Sequence, residues 1–242
     1  MAKPDRYNSI SRDGRIFWRN WEAAEGEEPF STLQVRNDVR PELDYIREKR
    51  ISRLMVLGAD VSPLSECDWL KSIAVSYEYA NVDTLADLPN LRRLFINSEV
   101  SKDVVHLDRF RNVCDLNVFY MSNKIKGVET MTQLERLKLY GYTPKCRSFE
   151  ALSDMKKLKR ASFTYPRIDS VTGIRNWVEL NELELCYSRS LSDISELKQC
   201  TQLRKLLLQA VPHVTDDSFL LDMGFSKSMY NARSPRYYFR DM

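Results

Sequence analysis

Through the middle of the chain, apolar residues recur in the order apolar-x-x-apolar-x-apolar, with polar residues filling the gaps. The copies are Ile51/Leu54/Val56, Leu70/Ile73/Val75, Leu91/Leu94/Ile96, Val113/Leu116/Val118, Leu134/Leu137/Leu139, Leu158/Ala161/Phe163, Leu180/Leu183/Leu185 and Leu203/Leu206/Leu208. Their first positions are separated by 19, 21, 22, 21, 24, 22 and 23 residues, so the chain is built on an internal repeat. The last two apolar positions of each copy alternate with polar ones, the period of a short strand buried on one face. A second pattern, of period three, approaches each strand. Ile125, Val128 and Met131 lead to Leu134; Phe149, Leu152 and Met155 to Leu158; Val171, Ile174 and Trp177 to Leu180; Ile194, Leu197 and Cys200 to Leu203. That spacing is shorter than the α-helical 3.6 and suits 3-10 turns, in which i and i+3 share a face. Each unit therefore predicts a short strand joined to a turn-rich return. The competing reading, a set of unrelated amphipathic helices, conflicts with apolar-x-apolar at a fixed offset.

The segment Leu191-Ser192-Asp193-Ile194-Ser195-Glu196-Leu197, followed by Leu203-x-x-Leu206-x-Leu208, matches a unit reading roughly LxxLxLxxNxIxxIxxLxx. On these residues the chain resembles the leucine-rich repeats of the bacterial internalin type, over roughly residues 51–210. The resemblance implies an α/β solenoid: a right-handed leucine-rich-repeat horseshoe with a concave parallel β-sheet, 3-10 or irregular turns on the convex side, and a cap at each end. One departure matters. The Asn that the family places three positions after the last strand leucine is replaced by Ala59, Glu78, Glu99, Met121, Tyr142, Pro166, Ser188 and Val211. In the family that Asn ladder satisfies buried backbone groups. Without it those groups need other partners or water, and irregular turns are expected. The sequence shows no secretion signal of the family's kind, so a surface-adhesin role is not implied.

A stack of repeats exposes its core at both ends and needs caps. Residues 1–50 read as the first: a hairpin from Asn8 to Trp18 around Asp13-Gly14, a strand near Ser31–Val35, then a helix from Asp38 to Arg50 with Asp38 as N-cap. Trp18 and Trp21 read as cap packing. Residues 211–242 read as the C-terminal cap or tail, with a short helix begun by Thr215-Asp216-Asp217-Ser218. The basic, aromatic run Arg233-Ser234-Pro235-Arg236-Tyr237-Tyr238-Phe239-Arg240 either folds over the last repeat or serves as a contact arm.

Composition narrows the function. With 43% hydrophobic and 29% charged residues the chain is globular. It has no apolar run near the roughly 18 residues a membrane span requires, so no membrane partner is expected. The polar start and five scattered cysteines without metal-ligand spacing point to free thiols and a cytoplasmic setting. A net charge of +3 is too weak to argue for nucleic acid by itself. His106 and His213 fall about five repeats apart, more than roughly 20 Å at strand spacing, so they cannot share a metal or a triad. No phosphate loop is visible among seven glycines. No catalytic residue, cofactor or metal is expected, and the chain reads as non-enzymatic.

The residues between the strand leucines stand on the concave sheet. The third position of each unit gives the column Ser72, Arg93, Asp115, Arg136, Arg160, Glu182, Lys205; the fifth gives Ala74, Phe95, Asn117, Lys138, Ser162, Glu184, Leu207. Tyr77, Phe95, Phe119, Tyr120, Tyr140, Tyr165 and Tyr187 fall near one rim. Exposed aromatics beside arginine have the composition of protein-interface hot spots. The candidate partner-binding set is Arg93, Phe95, Asn117, Phe119, Arg136, Lys138, Tyr140, Arg160, Tyr165, Glu182, Glu184 and Tyr187. Against it stands packing of these aromatics on one another, as cross-strand pairs do. The expected function is a protein–protein interaction module, monomeric when free, that grips a protein partner on its concave face; an inhibitor or immunity-type protein is its sharper form. The alternative is nucleic-acid or polyanion binding through the Arg/Lys and Tyr/Phe mixture. A third class is an assembly role, with the tail docking on another copy.

Overall fold

The computed structural model describes residues 9–19, 28–121, 123–229 and 236–240. Its strands are β1 (Ser9–Arg12), β2 (Arg15–Trp18), β3 (Thr32–Arg36), β4 (Arg53–Leu57), β5 (Ser72–Ser76), β6 (Arg93–Asn97), β7 (Val105–His106), β8 (Asp115–Phe119), β9 (Ile125–Lys126), β10 (Arg136–Tyr140), β11 (Arg160–Thr164), β12 (Glu182–Cys186), β13 (Lys205–Gln209), β14 (Ser226–Met229) and β15 (Arg236–Phe239). Thirteen of them form one sheet in the order β1-β2-β3-β4-β5-β6-β8-β10-β11-β12-β13-β15-β14, and the short β7 and β9 pair separately. From β3 to β13 every pairing is parallel. Parallel neighbours need a crossover, and from β4 onward the crossovers carry 3-10 turns: Ser62–Glu66, Val82–Leu85, Leu107–Arg109, Val128–Thr130, Glu150–Leu152, Ile174–Asn176 and Ser195–Gln199. The chain is a leucine-rich-repeat solenoid.

The register is unshifted along the whole stack. Leu33, Leu54, Ile73, Leu94, Leu116, Leu137, Ala161, Leu183 and Leu206 are successive pairing partners. Each is at most 3% exposed, so one row of side chains forms a wall of the core. The turns supply the opposite wall with Leu64, Leu85, Leu107, Val128, Leu152, Ile174 and Leu197. Where Ala161 leaves the strand row thin, larger rings fill the space: Phe149 lies 4.5 Å from Phe163 and 5.3 Å from Trp177, centroid to centroid. The Trp177 indole, fully buried, donates its N–H to the Leu152 carbonyl at 2.8 Å.

The backbone groups that lack the Asn ladder do find other partners, and they do so in a recurring pattern. After most strands the next residue is left-handed: Asn37, Gly58, Tyr77, Tyr120, Gly141, Tyr165, Tyr187 and Ala210, with φ from 52° to 76°. Many of these amides donate to the last carbonyl of the following strand: Asn37 to Leu57, Gly58 to Ser76, Gly141 to Thr164, Tyr165 to Cys186 and Tyr187 to Gln209, at 2.7–2.9 Å. Serine hydroxyls do the rest. Ser98 donates to the Tyr120 carbonyl, Ser101 to Tyr79, Ser188 to Pro166 and Ser190 to Ile168. Apolar Ala59, Pro166 and Val211 bury the former Asn position without adding a polar side chain to satisfy, and Tyr142 places a buried ring there. A serine ladder and a backbone relay thus replace the asparagine ladder.

At the N-terminal end, β1 and β2 form a hairpin around Asp13 and Gly14, both at positive φ, as a two-residue hairpin turn requires. β2 runs antiparallel to β3, which begins the parallel stack. The helix expected over 38–50 is shorter: a 3-10 turn (Arg40–Glu42) leads into α1 (Leu43–Glu48). Pro41 lies in the 3-10 turn, and Asp38 accepts from the Arg40 amide at 3.0 Å ahead of the turn instead of capping α1. At the other end, α2 (Phe219–Asp222) precedes β14, and β15 lies antiparallel along β13. Tyr238 is fully buried opposite Leu206, with its hydroxyl on Asp217. Over its described residues the tail thus extends the sheet sideways instead of covering its face. Asn8, Trp21 and residues 233–235 lie outside the described residues.

Gly173 tests how tightly the turns stack. Its φ is +100°, and a Cβ there would stand 2.8 Å from the backbone of Phe149 and Glu150. Gly173→Ala is expected to lower unfolding free energy by about 3 kcal/mol, combining left-handed strain with a backbone clash. Gly141→Ala, at φ +76° with nothing within 4 Å, should lose only about 1 kcal/mol. Urea unfolding of both variants measures the difference; equal losses would mean the turns do not pack as described.

Candidate functional site

The sheet has one covered face and one open face, and the open face is lined by the columns read from the sequence. The unshifted register converts sequence columns into rows of touching side chains. Along the third position, Asp115 is held between Arg93 at 3.2 Å and Arg136 at 2.9 Å. Glu182 is likewise held between Arg160 at 3.5 Å and Lys205 at 3.1 Å. In the fifth column Ser162 donates to Glu184 at 2.8 Å. Arg93, Arg136 and Arg160 are therefore partnered within the sheet, and Asp115, absent from the candidate set, organises two of them.

The aromatic residues fall into two groups. Phe119, Tyr120, Tyr140, Tyr165 and Tyr187 form an unbroken run of rings at the C-terminal ends of β8 to β12. Successive centroids are 4.6 Å (Phe119–Tyr120), 4.7 Å (Tyr120–Tyr140), 5.1 Å (Tyr140–Tyr165) and 4.8 Å (Tyr165–Tyr187) apart. Phe119 also meets Tyr140 at 4.8 Å. The rings pack on one another and still remain open to solvent: Phe119 is 36%, Tyr165 43% and Tyr187 38% exposed. Gln209 closes the run by donating to the Tyr187 hydroxyl at 3.2 Å. Packing raises the Tyr140 phenol above its ordinary pKa, first by burial and then through Tyr120, Tyr165 and Glu99. Phe95 and Tyr77 do not continue this run. They border a separate hollow of about 610 Å³ at the N-terminal end, together with Trp18, Met55 and Ala74. Trp18, read as cap packing, thus also faces the open side; its indole donates to Gln34 at 2.7 Å. Asn117 lies between Phe95 and Lys138 in the fifth column.

The backbone is unusual under the run and at Tyr77. Tyr77, Tyr120, Tyr165 and Tyr187 are left-handed at φ 54–64°, a conformation that costs a bulky L-residue about 1 kcal/mol or more and that glycine adopts freely. Gly58 and Gly141 hold the equivalent place elsewhere. Tyrosine at this position works against local stability, and strain of this kind concentrates at functional sites.

Elsewhere the groups able to do chemistry are scattered. His106 is exposed on the turn side, with Nδ1 2.7 Å from Asp83. No group of three or more His, Cys, Asp or Glu among the described residues could hold a metal ion. No helix among them is long and apolar enough to cross a membrane. All five cysteines are free. Burial pushes the thiols of Cys67, Cys186 and Cys200 up, Cys186 to about 11 and Cys200 to about 12. The exposed Cys146 is raised by partial burial, but hydrogen bonds from Ser148, Ala151 and its own amide outweigh this and leave it below the ordinary thiol value.

No protein-family model matches the sequence, and no curated protein sequence matches it. Among solved structures the chain is similar to an internalin of Listeria monocytogenes, at 13% identity over 75% of this chain and 74% of that one, TM-score 0.43. It is similar to internalin C2 of the same organism, at 17% identity over 72% and 79%, TM-score 0.49. A leucine-rich-repeat protein of Leptospira interrogans is similar at 13% identity over 64% and 48%, TM-score 0.40. These likenesses concern the repeat architecture.

Two outcomes follow from the site's geometry. Tyr77 is 61% exposed and left-handed, so Tyr77→Gly should leave stability unchanged or raise it by up to about 1 kcal/mol; a loss of that size in thermal unfolding would show that the ring carries structure. Under native conditions iodoacetamide should modify Cys146 well ahead of Cys67, Cys186 and Cys200, which should react only on unfolding. Peptide mapping by mass spectrometry reads the order, and early labelling of Cys200 would contradict the closed core.

Proposed function

We propose that the protein is a non-enzymatic binding module whose open, concave sheet face holds a protein partner. Leucine-rich-repeat sheets typically bind proteins, and a solenoid offers an extended, preformed surface that loses little ordering entropy on binding. The observation that carries the reading here is the run Phe119–Tyr120–Tyr140–Tyr165–Tyr187, partly exposed and mounted in part on left-handed tyrosines. Large, rigid, amphipathic rings give much contact area for few rotamers, which makes them effective interface anchors. An inhibitor or immunity-type protein, masking an enzyme with this face, is the sharper form of the reading; its support is the shape of the fold and the scattering of chemical groups. Cytoplasmic placement belongs to the same proposal and is supported by five unpaired thiols.

The polyanion alternative finds less support. Arg93, Arg136 and Arg160 already engage acids on the sheet, and Asp115, Glu182 and Glu184 would face an incoming phosphate chain.

Affinity capture with the purified chain tests the proposal, comparing wild type with Phe119→Ala/Tyr140→Ala/Tyr165→Ala after nuclease treatment of the extract. Loss of two or more anchors should weaken a stoichiometric protein partner by roughly 30-fold or more. A partner retained by the triple variant would move the site to the turn side or the caps, and material lost on nuclease treatment would favour the polyanion reading.

A further inference from the structure

The charges at the centre of the open face do not balance. From β6 to β13 the face carries Arg93, Arg136, Lys138, Arg160 and Lys205 against Asp115, Glu182 and Glu184, five cations to three acids. Each ion-paired group sets two cations on one carboxylate. Between these groups Lys138 is exposed. Its pairing neighbours are Asn117 on β8 and Ser162 on β11, and the Ser162 hydroxyl is already given to Glu184. Glu184 lies two strands from Lys138, about 9–10 Å at sheet spacing. No acidic partner of Lys138 is found among the described residues.

Lys138 also has a fixed relation to the aromatic run. Tyr140 is two residues further along the same strand and therefore on the same face, roughly 7 Å away. An extended polypeptide repeats its side chains on one face at that same interval. A segment laid along β10 with an acidic residue over Lys138 would place the residue two positions away against Tyr140, Phe119 and Tyr165. An aromatic side chain there would join a row whose members already prefer edge and tilted contacts at 4.6–5.1 Å.

We infer that the centre of this face takes an acidic, aromatic-bearing extended segment of the protein partner, with a carboxylate seated over Lys138 and a ring against Tyr140. The inference rests on the protein-binding reading above and adds the chemistry of what is bound. The excess positive charge guides an acidic segment in, while Glu182 and Glu184 bar a uniformly anionic chain from lying across the sheet.

Fluorescence anisotropy on the full chain tests it with three labelled probes: a random copolymer of glutamate and tyrosine, polyglutamate, and an oligothymidylate. The proteins are wild type, Lys138→Glu, Tyr140→Ala and, as a distant charge control, Lys156→Glu, each checked for folding by circular dichroism. Wild type should bind the copolymer more tightly than polyglutamate. Lys138→Glu should weaken copolymer binding by about tenfold or more, Tyr140→Ala should erase the preference for the copolymer, and Lys156→Glu should change neither. The inference is overturned if wild type binds neither polypeptide, if Lys138→Glu behaves like Lys156→Glu, or if the oligothymidylate binds more tightly than the copolymer with the same dependence on Lys138. Loss with Tyr140→Ala but not with Lys138→Glu would remove the acidic segment and leave the protein-binding face standing; loss with neither would remove both.

Discussion

The unshifted parallel register from β3 to β13 is the constraint on which the rest of the molecule depends. No single unit can bury its leucine row alone, and only stacking against neighbours closes the core. A slip of one residue would turn a strand's leucines to water and its polar residues inward. The consequence is visible in where the repeat tolerates variation. The nine strands of the parallel stack are each five residues long, while unit length runs from 19 to 24. All the variation is therefore taken up in the returns, where 3-10 turns, left-handed residues and serine hydroxyls adjust without disturbing the ladder.

The same register decides the electrostatics and the aromatic run. Side chains at one repeat position are brought within contact distance of the next unit whether or not they suit each other, so like charges in a column would repel. The third column limits this by placing Asp115 between Arg93 and Arg136, and Glu182 between Arg160 and Lys205; Arg136 and Arg160 remain adjacent, each engaging an acid on its other side. The Tyr residues that follow the strands obey a different logic. Backbone geometry at that place favours glycine or asparagine, and the chain uses them in Asn37, Gly58 and Gly141. Following β8, β11 and β12 it uses tyrosine, and the rings recover part of the strain by packing on their neighbours in edge, tilted and stacked contacts. Part of their surface is still left to solvent.

The repeat, its strands and the inward rows were legible in the sequence because period-two alternation and a fixed offset survive without knowledge of any contact. The open-face columns followed for the same reason. The division of the aromatics did not. Phe95 belongs to the fifth position of β6 and Tyr77 follows β5, both on the N-terminal side of β8, so neither meets the run that starts at Phe119; only the strand order shows where a row begins. The turns' need for partners other than asparagine was legible, but the identity of those partners was not. Their hydrogen bonds come from backbone amides and from serines at other offsets, including Ser101 and Ser190. Asp115 was visible in its column between two arginines, and its pairing could have been read from the register alone.

The two chemistries of the open face contribute differently to binding. Surface ion pairs between partly exposed side chains add about 0–1 kcal/mol each, so the arginine–acid groups do little to stabilise the fold. They hold the guanidinium groups in place, and a partner's carboxylate must compete with acids already there. Charge on this face is therefore suited to steering and to rejecting the wrong sign of partner. Affinity must come mainly from burying rings that are already ordered, since little rotamer entropy remains to be lost when they are covered. A face arranged in this way selects by charge at its centre and holds by aromatic contact along its rim, and the half that holds is the half the backbone strains to present.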